Sequence, residues 1–290
     1  MQNKVNCFLV GAQKSGSTAL AGYLSQHKDI FLPTVKAPNF FNEKYKKSFQ
    51  IKTLEEYHDL FSWKESYQVD SSDCYHSDFI ALDNIKKYNP EAKIIMLLRN
   101  PEKMLASLHS HLLWAGYQDI QDINQAFKEQ SKRSITLKKP ETSSEESFLD
   151  YSTMCNIGEQ VKYIIELFGR ENVLFIPSQS LINTPQNVLS NAFKWLGLED
   201  VTITLENTKS NKAVAPRFKF ISKLNNKIPA NFKTKVKLKA SKLGLDFDGL
   251  MRTLNGKEIK QKSTPNFDAE LVEFCLKQRH IVHDLTGIKL

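Results

Sequence analysis

The chain has 290 residues, 41% of them hydrophobic and 25% charged, and a formal net charge of +8. That balance is ordinary for a folded chain with a sizeable core, and it excludes intrinsic disorder as the starting assumption. Apolar runs such as Ile94-Ile95-Met96-Leu97-Leu98 fall far short of the roughly 20 residues of a membrane helix, so no transmembrane segment is expected.

The first residues, Met1-Gln2-Asn3-Lys4, run directly into a strand-like segment without an apolar leader, and a cytoplasmic protein is the expectation. Asn6 to Val10 is a short apolar run ending at Gly11 and reads as a buried strand. Thr18 to Gln26 carries Ala19, Leu20, Tyr23 and Leu24 at helical spacing. Ile30 to Leu32 reads as a second strand stopped by Pro33, and Val69 as part of a brief strand between helices over Leu54–Phe61 and Ser77–Tyr88. Lys93 to Leu98 is the clearest interior strand. Pro101 then opens a helix where its missing N–H costs nothing, and Met104, Leu105, Leu108 and Leu112 form its apolar face.

Ile157, Val161, Ile164, Ile165 and Phe168 predict another amphipathic helix, closed by Gly169. A strand over Val173–Ile176 ends at Pro177, and a helix over Pro185–Leu196 ends at Gly197. Glu141 to Glu146 is polar and reads as a mobile loop. Residues from about 207 to 265 read as basic helices and loops within one domain spanning 1–290.

Strands alternating with helices imply an α/β three-layer sandwich around a central, mainly parallel sheet. Ligands of such sheets sit beyond the C-terminal strand ends, where the loops after Val10 and Leu98 fall. The lysines concentrated between Lys209 and Lys262 suit an anionic partner or a solvated helix face, and leave peripheral contact with a membrane surface open. No nucleic-acid-binding module is present, so no nucleic acid partner is expected. Cys7, Cys74, Cys155 and Cys275 are widely spaced, which predicts neither a metal site nor a disulfide framework; Cys7 and Cys275 fall on apolar stripes and read as core residues.

Gly11-Ala12-Gln13-Lys14-Ser15-Gly16-Ser17-Thr18 sits between strand and helix. A glycine-bearing turn there aims backbone amides and a helix N-terminus at an anion, Ser15, Ser17 and Thr18 add hydroxyls, and Lys14 adds a full charge. It is a P-loop-like phosphate loop with a difference. Its lysine precedes the second glycine, whereas nucleoside-triphosphate-hydrolysing P-loops place lysine after it, and no acid follows Leu98 to hold a metal. A kinase is therefore disfavoured.

The loop resembles the 5′-phosphosulfate loop of the sulfotransferase superfamily, G-x-x-K-[ST]-G-[ST]-T. The same superfamily binds its donor's 3′-phosphate through an Arg at a strand end and a Ser eight residues on, and this sequence has Arg99 and Ser107 in that arrangement. The resemblance implies a donor site of Gln13, Lys14, Ser15, Gly16, Ser17, Thr18, Arg99 and Ser107, with Lys260 and Lys262 as looser candidates for the 3′-phosphate. It implies 3′-phosphoadenosine 5′-phosphosulfate (PAPS) as co-substrate, no metal, and Lys14 at the leaving oxygen.

In glycan-type members a segment resembling K-E-P-x-F-F carries the general base. Here it reads Lys36-Ala37-Pro38-Asn39-Phe40-Phe41, with Ala37 at the carboxylate's place. Glu43, Asp70, His109 and His111 are candidate substitutes, Asp70 within Val69-Asp70-Ser71-Ser72-Asp73-Cys74-Tyr75, which resembles the family's E-x-S-P-x-Y element. Lys36 is a further candidate, able to orient the donor's sulfate or an acidic acceptor. The resemblance thus implies sulfuryl transfer to a hydroxyl of a carbohydrate or glycolipid-type acceptor. The alternative it leaves open is a catalytically weakened nucleotide-binding relative.

Overall fold

The computed structural model describes residues 3–35, 37–42, 51–115, 118–136, 150–205, 214–216, 256–258 and 265–290. The elements in chain order are β1 (Cys7–Gly11), α1 (Ser17–Leu24), β2 (Ile30–Phe31), α2 (Leu54–His58), β3 (Tyr67–Asp70), α3 (Phe79–Tyr88), β4 (Lys93–Leu98), α4 (Pro101–Ala115), α5 (Ile123–Thr136) and α6 (Tyr151–Met154). They continue with α7 (Ile157–Phe168), β5 (Val173–Pro177), α8 (Ser178–Asn183), α9 (Pro185–Leu196), β6 (Val214–Pro216), β7 (Gly256–Glu258) and α10 (Ala269–Thr286). The chain forms two compact units, Met1–Pro101 with Asn156–Ser210 and Lys277–Leu290, and Glu102–Cys155 with Asn211–Leu276.

The first unit holds a five-stranded sheet in the order β2-β3-β1-β4-β5, every neighbouring pair parallel. Its two central strands, β1 and β4, are buried on both faces, which is why they read as unbroken apolar runs rather than alternating ones. Successive side chains still point to opposite faces. Cys7, Leu9, Ile95 and Leu97 join Leu20 and Leu24 of α1 and Leu189, Phe193 and Leu196 of α9 in one core cluster. Elsewhere in the unit α3 meets α7: Phe79 stacks on Tyr163 at 4.4 Å between centroids, and the Tyr163 hydroxyl donates to Asp83 over 2.7 Å. The parallel α/β architecture expected from the alternation of elements is the one observed.

The helix expected over Ser77–Tyr88 is interrupted. A 3₁₀ turn at Tyr75–Ser77 is followed by Asp78 in extended conformation, and only then by α3. The Asp78 carboxylate accepts from Asn42 Nδ2 over 3.1 Å rather than capping the helix, a contact that no local propensity encodes. Helix α2 also stops early, at His58, while Leu60 and Phe61 continue as turns on the carbonyls of Tyr57 and His58. All four cysteines are buried, as Cys7 and Cys275 were expected to be.

The second unit contains α4 beyond Pro101, α5, α6, the antiparallel pair β6–β7 and the start of α10. His109 is enclosed here, with Tyr151 Oη 2.8 Å from Nδ1 and the Gln121 carbonyl 3.0 Å from Nε2. The polar stretch Glu141–Glu146 and nearly all of the basic segment 207–265 lie outside the described residues. No helix among the described residues is long and apolar enough to cross a membrane.

Candidate functional site

Strand β1 delivers the phosphate loop at the C-terminal edge of the sheet. The Ala12 amide still bonds to the Leu97 carbonyl of β4, over 3.0 Å, and then the chain turns away. Lys14 takes φ 63° and Gly16 φ 102°; at Gly16 the absence of a Cβ makes that value cheap. Gly16 is the N-cap of α1, and no side chain caps the helix. The helical hydrogen bonds begin with Ala19 and Leu20 donating to the Gly16 carbonyl, so the amides of Ser17 and Thr18 precede the first of them. Ser15 and Ser17 are buried, Lys14 is half-buried, and Gly16 and Thr18 are exposed. This is a nest of donors with a positive helix end behind it, and its chemistry fits a phosphate-borne anion.

Arg99, the residue after β4, is brought to this loop. Its Nη1 donates to the Lys14 carbonyl, and burial lowers the guanidinium's affinity for its proton. Beneath it Ser178 Oγ donates to the Leu98 carbonyl over 2.9 Å, fixing the strand end from which Arg99 departs. Ser107 lies half-buried on α4, eight residues further along the chain and in the second unit.

Asp70 occupies a different setting from the one its motif suggested. It is fully buried, and its carboxylate accepts from Tyr57 Oη (2.8 Å), Ser72 Oγ (2.6 Å) and Tyr75 Oη (2.9 Å). Burial outweighs those three donors and pushes its pKa up to about 6. The same donors reach onward. Ser72 Oγ accepts from the Asn39 amide over 2.9 Å, and Tyr75 Oη accepts from the Phe41 amide over 3.3 Å. Asp70 therefore ties down the Ala37–Asn42 segment from below. The aromatic pair in that segment adds packing: Phe40 stacks on Tyr57 at 4.6 Å between centroids, and Phe41 meets Phe8 edge-on at 5.9 Å.

Within this segment Ala37 and Asn39 have φ of 51° and 52°, and the Asn39 side chain donates to the Ala37 carbonyl over 2.8 Å. Lys36, Lys260, Lys262 and Glu43 lie outside the described residues.

The structure adds two neighbours of the loop that the sequence reading left aside. Ser17 Oγ donates to Asp73 Oδ2 over 3.3 Å, and Gln13 Nε2 donates to Cys74 Sγ over 2.7 Å. Both partners belong to the turn after β3. A signal was present: Asp73 stands where the E-x-S-P-x-Y element has proline.

With that geometry in view, comparison with known proteins is informative. The sulfotransferase domain family model matches residues 4–242. The bifunctional heparan sulfate N-deacetylase/N-sulfotransferase 1 of Caenorhabditis briggsae is 28% identical over 202 residues, 66% of this chain and 22% of that protein. Its Caenorhabditis elegans counterpart is 28% identical over 197 residues, so the chain spans 22% of the length of either curated relative. In three dimensions the crystal structure of a sulfotransferase from Alicyclobacillus acidocaldarius shares the fold, with a TM-score of 0.61 at 22% identity, over 87% of this chain and 100% of that one. The loop between β1 and α1, the arginine after β4 and the family match over most of the chain agree: this protein belongs to the sulfotransferase domain family.

Proposed function

We propose that this chain moves the sulfuryl group of PAPS onto a hydroxyl, or an amine, of a carbohydrate or glycolipid-type acceptor, releasing adenosine 3′,5′-bisphosphate. The observation that carries the reading is the joining of the Gln13–Thr18 loop to Arg99 at one sheet edge, through the hydrogen bond to the Lys14 carbonyl. The loop's amides and the hydroxyls of Ser15, Ser17 and Thr18 suit the 5′-phosphosulfate. Arg99 offers paired N–H donors for the 3′-phosphate. Ser107 keeps the role that its spacing from Arg99 gives it.

In-line sulfuryl transfer depends on alignment and on neutralising charge at the leaving oxygen. Lys14 supplies that charge. No step in this scheme requires a metal. The carbohydrate acceptor is supported by the heparan sulfate relatives and by the Lys36–Phe41 segment, whose phenylalanines are seated as described above. The test is incubation with sulfur-labelled PAPS and a chemically desulfated, N-deacetylated heparan, which offers hydroxyls and amines together. Label in the glycan supports the reading. PAPS left intact with this glycan and with water would refute it.

A second reading rests on Ala37, since a methyl group cannot take up a proton. The chain would then be a weakened relative that binds the nucleotide without efficient turnover. Ala37→Glu separates the two: a gain of about 10²-fold or more in turnover means that the carboxylate had been lost without replacement.

A further inference from the structure

The phosphate loop touches a carboxylate that the superfamily pattern does not provide. Strands β3 and β1 run parallel with Phe8 paired to Asp70, the last residue of β3, so the turn that carries Asp73 departs beside β1. The turn after β3 is pressed against the start of the loop: a Cβ placed on Gly11 would lie 2.5 Å from His76 Nδ1. In that turn Asp73 is half-exposed and accepts from Ser17 Oγ at 3.3 Å. Its neighbour Ser72 holds the Asn39 amide, two residues from Ala37. A continuous path of adjacent residues and hydrogen bonds thus runs from the position that lost its carboxylate, through Asn39 and Ser72, to Asp73 and the phosphate loop.

Two of the other candidates are placed differently. Asp70 has no exposed surface and accepts from three hydroxyls. His109 has both ring nitrogens within hydrogen-bond distance of Tyr151 and Gln121.

We propose that Asp73 is the catalytic base of this chain, supplying from the turn after β3 the carboxylate that Ala37 lacks. The proposal rests on the sulfuryl-transfer reading above. In the step, the acceptor's O–H or N–H proton passes to the Asp73 carboxylate while the acceptor lone pair forms the new bond to sulfur. The bond from sulfur to the bridging oxygen breaks, its electron pair stays on the 5′-phosphate of the departing adenosine 3′,5′-bisphosphate, and Lys14 meets that charge. Asp73 then returns its proton to water.

The experiment compares wild type, Asp73→Asn, Asp73→Glu and the double variant Asp73→Asn/Ala37→Glu. Adenosine 3′,5′-bisphosphate release from PAPS is followed with desulfated, N-deacetylated heparan and with water as acceptors, and product affinity is measured by calorimetry. Asp73→Asn lowers turnover by about 10²- to 10⁴-fold with product affinity within about threefold of wild type. Asp73→Glu retains part of the activity, and Ala37→Glu restores at least about tenfold to the Asn variant, which a merely structural role for Asp73 would not predict. Turnover of Asp73→Asn within about threefold of wild type, or product affinity about tenfold tighter at unchanged turnover, overturns the assignment; the second result would mark Asp73 as a repulsive neighbour of the donor phosphates. A wild-type chain that neither binds the product nor releases it from PAPS refutes the sulfuryl-transfer reading itself, and the proposal with it.

Discussion

The guanidinium of Arg99 donates to the main-chain carbonyl of Lys14, so the residue after β4 fastens the loop that follows β1. On the proposed reading, in which Arg99 binds the donor's 3′-phosphate, that binding and the placement of the loop lysine would be coupled through one side chain. Arg99→Lys keeps the charge but loses the planar fork. It should weaken binding of adenosine 3′,5′-bisphosphate by about 10- to 100-fold while changing 5′-AMP binding much less. Calorimetry with the two nucleotides checks this.

Lys14→Ala tests the leaving-oxygen role. Lys14 is a half-buried loop residue at φ 63°, and alanine there keeps the same backbone demand. The variant should unfold within about 1 kcal/mol of wild type and transfer sulfuryl groups at least about 10²-fold more slowly. Denaturant titration and label transfer, run on one preparation, separate the two effects.

Asp70 makes a prediction about pH. Its folded-state pKa is about 6 against an ordinary 3.8, so between those values the folded chain holds more protons than the unfolded one. The stability due to this group is fully present below pH 3.8 and is lost as pH rises through about 6, a change of about 3 kcal/mol. Urea midpoints between pH 4 and 7 should fall more steeply for wild type than for Asp70→Asn, whose side chain does not titrate. Asp70→Ala leaves the hydroxyls of Tyr57, Ser72 and Tyr75 without their shared acceptor and should cost about 3 kcal/mol at pH 5.

Gly11 should tolerate no side chain. A Cβ there would sit 2.5 Å from Nδ1 and 2.7 Å from Cγ of His76, a ring with no exposed surface. Gly11→Ala should lose about 1–3 kcal/mol by thermal or urea unfolding, and it should weaken nucleotide binding because Gly11 opens the loop Gly11–Thr18.

Strands β1, β4 and β5 and the loop Gly11–Thr18 were legible because each rests on a local signal: an unbroken apolar run, a glycine turn, or a proline at a helix start. Arg99 was legible for the same reason, standing directly after the clearest strand. The role of Asp70 and the contact of Asp73 with Ser17 were not, because both depend on β3 lying between β2 and β1 in the sheet. Strand order arises from crossovers spread along the chain, and no window of neighbouring residues contains it. The motif alone marks Asp70 as a site carboxylate; the enclosing hydroxyls of Tyr57 and Tyr75 add that it anchors the Ala37–Asn42 segment. The contact of Asp78 with Asn42 was hidden likewise, since the two are 36 residues apart.

The central claim is a donor site that requires the 3′-phosphate, and its most direct test is calorimetric titration with adenosine 3′,5′-bisphosphate in the absence of Mg²⁺, with 5′-AMP and ATP as controls. The account predicts that the bisphosphate binds at least about tenfold more tightly than either control and that Arg99→Lys removes the difference. Equal affinity for the bisphosphate and 5′-AMP, or binding that appears only with Mg²⁺-ATP, would contradict it.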